Sequence, residues 1–317
     1  MTARRGRPLK VGLLLPDTEG QLEGRTPRWR DLSAMARAAE AVGFDSVWIT
    51  DHLIHRPDAD TPPDGAVQVE VRGPWEGWTL LTALAAVTER VEVGPLVLSA
   101  SFRNPGLLAK MADTLDEVSD GRLILGLGAG WNQPEYEMFG FPYDHRVDRF
   151  AEAIQIISGL LHGERVDVDG RYWQARAAEL RPRGPRPDGP PILIGTTGRR
   201  MMELTARYAD MWNVWFSNFG NDIDRLPPLL AEVDAACERV GRDPATLAKT
   251  AAIVMEVGSH APSSMEGPFI RGTPEQLADS LRAHAAIGLS QVQVWLEPPT
   301  VAGIEAFAPT LEALDRG

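Results

Sequence analysis

The chain has 317 residues, 44% of them apolar and 24% charged, enough for one large globular core or two small ones. A net charge of −12 excludes nucleic acid as a partner, because phosphate neutralisation needs a basic face. No apolar run approaches bilayer length, and a single cysteine, Cys237, excludes an internal disulfide and a cysteine-based metal site.

Residues 9–15 read as a first strand, ended by Pro16 and Asp17. After a polar loop, residues 31–42 place Leu32, Met35, Ala36, Ala39 and Val42 at helical spacing, and Gly43 closes that helix. Residues 46–50 form the second strand, which delivers Asp51 and His52 at its end. A loop rich in proline and glycine, residues 56–74, is long enough for a lid. A helix over 78–87 and a third strand over 91–98 follow. Asn104 and Pro105 then start a helix as N-cap and first-turn proline, with Leu108, Met111, Leu115 and Val118 on its buried face.

Residues 122–127 are the fourth strand, and residues 133–142 after it read as an irregular loop. Phe150, Ala153, Ile154, Ile157 and Leu161 define a helix. Residues 164–190 break the rhythm with a small hairpin around Gly170. Alternation resumes with a strand at 192–194, a helix over 199–208, a strand at 211–215 and a helix over 229–240. Cys237 sits in that last helix among Val233, Ala236 and Val240, as a small core residue. A strand at 250–257 leads to a second lid candidate, residues 258–272. Thr273 and Gln276 form a capping box, and a strand at 291–296 precedes the closing helix. Eight strands, each followed by a helix, predict one α/β domain over residues 1–317. Its architecture is a single (β/α)8 TIM barrel with a small insertion after the fourth helix. Active sites of such barrels lie at the carboxyl ends of the strands.

The chemistry concentrates at the end of the fourth strand. Gly126, Gly128 and Gly130 bare one face of the backbone, and Trp131 and Asn132 follow directly. Bare backbone admits a flat ligand, although a tight turn needs the same glycines. The spacing is not that of a dinucleotide fingerprint, whose third glycine comes one residue later and opens into a helix.

Four stretches together resemble the bacterial luciferase-like superfamily of flavin and deazaflavin oxidoreductases. They are residues 39–52, Arg103-Asn104-Pro105, residues 119–132 and residues 191–195. The resemblance covers nearly the whole chain and implies the same barrel, with an isoalloxazine-type ring across its mouth. It implies coenzyme F420 as cofactor, with reduced FMN as the alternative. It maps an Asp–His pair beside the ring onto Asp51 and His52, and a non-proline cis peptide onto Leu96–Val97. Ser99, Gly128, Ala129, Gly130, Trp131 and Asn132 would line the ring. Backbone N–H groups of Gly195, Thr196, Thr197 and Gly198, feeding a helix N-terminus, would hold the cofactor phosphate. Sugar-phosphate dehydrogenases of the deazaflavin branch carry a glutamate just after the glycine-rich strand, where this chain has Trp131.

From the residues alone, His52 reads as a strand-end histidine bonded to a backbone carbonyl. The resemblance turns that reading to acid/base catalysis, with Asp51 orienting His52 or binding a cofactor hydroxyl. Trp48 reads as core, while Trp131 and Trp215 belong to the pocket, and Arg103, Arg199 and Arg200 read as surface residues. No metal is expected, since no carboxylate–histidine set surrounds His52 and His55. The expected activity is F420-dependent hydride transfer to or from a small-molecule substrate. The alternatives are an FMN-dependent monooxygenase fed by a separate reductase, and a non-catalytic barrel subunit. A cytoplasmic enzyme is expected, with a flavin or F420 reductase and a second copy of the chain (a homodimer) as candidate partners, and no membrane.

Overall fold

The computed structural model describes residues 6–55, 71–258 and 268–316. The central parts of both expected lids, residues 56–70 and 259–267, lie outside the described residues. The order is β1 (Lys10–Leu14), α1 (Trp29–Val42), β2 (Ser46–Ile49), α2 (Gly77–Val87), β3 (Glu92–Pro95), β4 (Leu98–Ser99) and α3 (Pro105–Val118). Next come β5 (Leu125–Gly128), α4 (Gln133–Phe139), α5 (Arg146–Leu161), and the antiparallel pair β6 (Val166–Asp169) and β7 (Gln174–Ala178). The chain continues through β8 (Ile192–Gly195), α6 (Arg199–Tyr208), β9 (Met211–Val214), α7 (Leu226–Arg239) and β10 (Ala248–Glu256). It ends with β11 (Ile270–Arg271), α8 (Pro274–Ala286), β12 (Gln291–Glu297) and α9 (Val301–Asp315).

The main sheet runs β3-β2-β1-β12-β10-β9-β8-β5-β4, with every neighbouring pair parallel. A parallel bridge between Val93 and Leu123 joins its two ends, so the sheet closes into the expected barrel. The third barrel strand is split into β3 and β4 around the Leu96–Val97 peptide, which is cis as expected. The β6–β7 hairpin follows α5, the fourth barrel helix, and is the expected insertion.

Inside the barrel, Leu14, Trp48, Leu96, Ile124, Leu193, Ala252, Val254 and Trp295 form one apolar cluster. The larger cluster lies between strands and helices. There α1 contributes Leu32, Met35, Ala36 and Ala39, the face its spacing predicts. Asn104 caps α3 by accepting the N–H of Leu107, and Thr273 with Gln276 forms the capping box of α8.

Two elements depart from expectation. Residues 133–139 are helical rather than irregular: Pro134 occupies the first turn, where it displaces no hydrogen bond, and Gly140 at φ 77° ends the helix. Similarly, α7 begins at Leu226, three residues before its predicted start at 229, because Pro227 and Pro228 fit its first turn.

Candidate active site

All the parallel strands end at one mouth. Asp51 and His52 follow β2, Ser99 ends β4, Gly128 ends β5, Gly195 ends β8 and Trp215 follows β9. Val97 ties three of these strands together. A Cβ on Gly126 would lie 2.0 Å from the Pro95 carbonyl oxygen, and one on Gly128 would lie 2.8 Å from the Val97 Cγ2. On Gly195 it would meet both Val97 methyl groups at 3.3 Å. The glycines of β5 therefore make room first for the Pro95–Val97 segment of the neighbouring strand, a third use of bare backbone beside the flat ligand and the tight turn between which the sequence left the choice open. Gly130 sits at φ 77° against the buried Tyr136 hydroxyl and Ser99 Oγ, which are hydrogen-bonded to each other at 2.6 Å.

Asp51 is locked into the framework. Its side chain is 1% exposed; Oδ2 accepts the Ser99 N–H at 3.0 Å, and both oxygens accept Arg103 N–H groups at 2.8 Å. Arg103 is accordingly no surface residue. It also donates to Glu76 Oε1 at 2.6 Å, and Glu76 in turn caps the N-terminus of α2. Burial opposes the guanidinium charge, but Asp51 and Glu76 outweigh it and raise its pKa.

His52 takes its orientation from another residue. Its Nδ1 lies 3.2 and 3.3 Å from the two oxygens of Glu135, and Leu53 N–H donates to Glu135 Oε2 at 3.0 Å. Asp51, expected from the resemblance either to orient His52 or to bind a cofactor hydroxyl, makes no hydrogen bond to His52. The His52 side chain is 26% exposed and Glu135 2%. Trp131, 51% exposed, meets the imidazole edge-on at 5.4 Å between centroids. Burial disfavours the imidazolium, yet Glu135, with Asp17 and Asp51 behind it, raises the His52 pKa above its ordinary value. The neighbouring His55 is shifted the other way, by burial and by His52. Burial also pushes the Asp17 carboxyl up, against hydrogen bonds from Thr50 and Thr18.

The other expected residues divide. Asn132 is buried, and its amide donates to the Ile54 carbonyl at 2.6 Å, so it ties down the loop after β2. Leu96 packs inside the barrel, and Ala129 offers its carbonyl to Tyr136. Trp48 is core, as expected, whereas Trp215 is only partly buried and packs against the edge of that cluster. The backbone of Thr196 is bound by Asn213 and Trp212 on β9. Gly198 faces open space: a Cβ there would find only Thr196 Oγ1, at 3.9 Å. The first N–H groups of α6 beyond it have no intrahelical acceptor. An anion thus has both donors and room at this end of β8. Among the described residues no set of three His, Cys, Asp or Glu side chains could hold a metal ion.

Glu135 was missed in the sequence although a signal existed. Asn132 followed three residues later by Glu135, with Pro134 between, is the pattern of a helix start. In the structure that glutamate serves His52 instead of the cap.

The sequence model of the family described as luciferase-like monooxygenase matches residues 9–261. An F420-dependent glucose-6-phosphate dehydrogenase from Beutenbergia cavernae is 37% identical over 221 residues, covering 68% of this chain and 61% of that protein. A 5,10-methylenetetrahydromethanopterin reductase from Archaeoglobus fulgidus is 32% identical over 183 residues, covering 58% of this chain and 48% of that protein. The matches thus span between about half and three fifths of these relatives' own length. Among solved structures, an F420-dependent secondary alcohol dehydrogenase in complex with an F420-acetone adduct shares the fold. It superposes with a TM-score of 0.76 over 96% of this chain and 99% of the other, at 18% identity. No helix among the described residues is long and apolar enough to cross a membrane.

Proposed function

The chain belongs to the luciferase-like monooxygenase family, and from that membership we propose that it is an F420-dependent oxidoreductase acting on a small organic substrate. The observation that carries the proposal is the His52 imidazole at the barrel mouth, held at Nδ1 by Glu135 and bordered by Trp131. The choice of deazaflavin is supported by the name of the Beutenbergia cavernae relative. When bound, the deazaflavin supplies a carbon that gives or takes a hydride. His52 holds or moves the accompanying proton at Nε2, which has no hydrogen-bond partner among the described residues. Asp51, Arg103 and Ser99 fix the turn that carries His52. Trp131 covers one side of the imidazole, and the Gly195–Gly198 segment with the start of α6 receives the cofactor phosphate. Trp131 in place of a carboxylate makes a sugar phosphate a poor substrate candidate, and a small alcohol, carbonyl or activated alkene the better one.

Titration of the purified protein with F420 and with FMN, followed by tryptophan fluorescence, tests the proposal. Quenching by F420 at micromolar concentration is expected. Quenching by FMN alone would move the function to an FMN-dependent monooxygenase with a separate reductase, and quenching by neither would favour a non-catalytic barrel.

A further inference from the structure

We infer that Glu135 is the positioning residue of this site: its buried carboxylate takes the Nδ1–H of His52 and leaves Nε2 as the nitrogen that carries a proton at the barrel mouth. For the reaction this proton accompanies, the inference rests on the hydride-transfer reading above; the pair itself stands on geometry. A carboxylate accepts only, so the ring nitrogen facing it is the donor, which fixes the tautomer. Glu135 has little freedom to choose another partner. It is 2% exposed, Leu53 N–H holds one oxygen at 3.0 Å, and both oxygens stand within 3.3 Å of Nδ1.

The helix that carries Glu135 is anchored by the fully buried Tyr136, which bonds Ser99 on β4. The strand that supports Asp51 and the helix that supports Glu135 are therefore one framework, with His52 between them. With a deazaflavin bound to take the hydride, Nε2 would accept the hydroxyl proton of an alcohol as the carbon gave up its hydride and the C=O bond formed. In the reverse direction Nε2–H returns the proton to the carbonyl oxygen.

The charged and titratable groups facing His52 are Glu135 from α4, Asp17 from the loop after β1, Asp51 beside it and His55 beyond it. Asp51 is already neutralised by Arg103, and Asp17 is satisfied by Thr50 and Thr18. Arg72 acts on His55 from the opposite strand of their bridge. Among the described residues only Glu135 makes direct contact with an imidazole nitrogen, and it leads the charges that raise the proton affinity of His52.

Glu135→Gln tests this in the full-length protein without cofactor. The His52 Cε1–H resonance, assigned with His52→Gln, is followed against pH by NMR. In Glu135→Gln the His52 midpoint should fall by about one pH unit or more, a loss of about tenfold in proton affinity. Glu135→Asp, which keeps the charge, should recover part of the shift, and the pH limb of kcat should move with the NMR midpoint. An unmoved midpoint in folded Glu135→Gln overturns the inference. Should that variant not fold, nitrogen-15 shifts of the wild type decide: an Nδ1–H tautomer supports the pairing and an Nε2–H tautomer overturns it. A shifted midpoint in a protein that turns over no F420 would uphold the Glu135 role while sinking the hydride-transfer reading.

Discussion

Replacing Arg103 by Met should destabilise the barrel more than any loss of a surface charge. Two of the guanidinium's contacts, both 2.8 Å, go to Asp51, whose side chain is 1% exposed. Removing one partner of a buried pair leaves the other charge uncompensated, which costs about 3–5 kcal/mol. The third contact, to Glu76, adds little because that carboxylate is 43% exposed and water screens it. For a chain of 317 residues, a loss of this size lowers Tm by roughly 4–8 °C.

The pH dependence has a definite sign. Burial already holds the folded-state pKa of Asp51 above its ordinary value against the opposing pull of Arg103, and removing Arg103 raises it further. The folded variant then binds the extra proton, so its deficit should shrink as pH falls through that pKa. Scanning calorimetry of Arg103→Met at pH 7 and pH 5 reads both effects. The double variant Asp51→Asn/Arg103→Met should recover most of the loss, since no buried charge is stranded. A Tm within about 2 °C of wild type at pH 7, or an equal deficit at both pH values, would refute the reasoning.

Three further outcomes follow from other parts of the site and scaffold. On the F420 reading, His52→Ala should lower the rate of hydride transfer by about 10²-fold or more while leaving cofactor affinity close to that of the wild type at a pH above the His52 pKa; loss of binding there with normal turnover of the bound fraction would make His52 an anchor instead. Gly198→Val should fold normally, since its Cβ meets nothing closer than 3.9 Å, yet lose one phosphate contact and about tenfold or more in cofactor affinity by fluorescence titration. His284 is buried with Nε2 unpaired, and burial lowers its pKa, so the unfolded chain binds its proton first and stability is lost as pH falls below about 6.5. His284→Met should flatten that acid limb in thermal melts at pH 5–7, and an unchanged limb would assign it to other groups.

The sequence was most legible where a structural cause is local. The face Leu32–Met35–Ala36–Ala39, the cap Asn104–Pro105 and the Thr273–Gln276 box are decided within one or two helical turns, and all three formed as read. The same held for the barrel, because the alternation of strands and helices recurs along the chain. What escaped depends on contacts across the chain. Glu135 finds His52 from 83 residues away, and Arg103 finds Asp51 from 52. Neither distance leaves a periodicity to read. The glycines of β5 were seen but their neighbour was not, since only strand register brings Pro95 and Val97 against Gly126 and Gly128. α4 was read as a loop because its anchor, Tyr136, is held by Ser99 rather than by a helical stripe of its own.

The charge distribution bears on how this chain would hold the anionic cofactor proposed above. A net charge of −12 repels such a ligand at long range. Beyond about 10 Å, however, 0.1 M salt screens most of that repulsion, so the groups at the mouth decide. There Arg103 is spent on Asp51 and Glu76, and Arg200 on Asp148. Arg199, at the start of α6, keeps 81% of its side chain exposed beside the open Gly198, with only a 3.5 Å contact to Glu203. Among the described residues, backbone N–H groups and Arg199 are what a phosphate at Gly198 would meet, and both attractions are weakened by salt. His52 contributes at the other side of the mouth. Protonated, it cancels the Glu135 charge; deprotonated, it leaves that carboxylate uncompensated at the place where a reduced, electron-rich ring would lie. On the F420 reading, cofactor capture and the protonation of His52 would therefore be coupled through Glu135. The affinity for a reduced anionic cofactor should weaken as pH rises through the His52 pKa, and Glu135→Gln should move that dependence to lower pH together with the His52 midpoint.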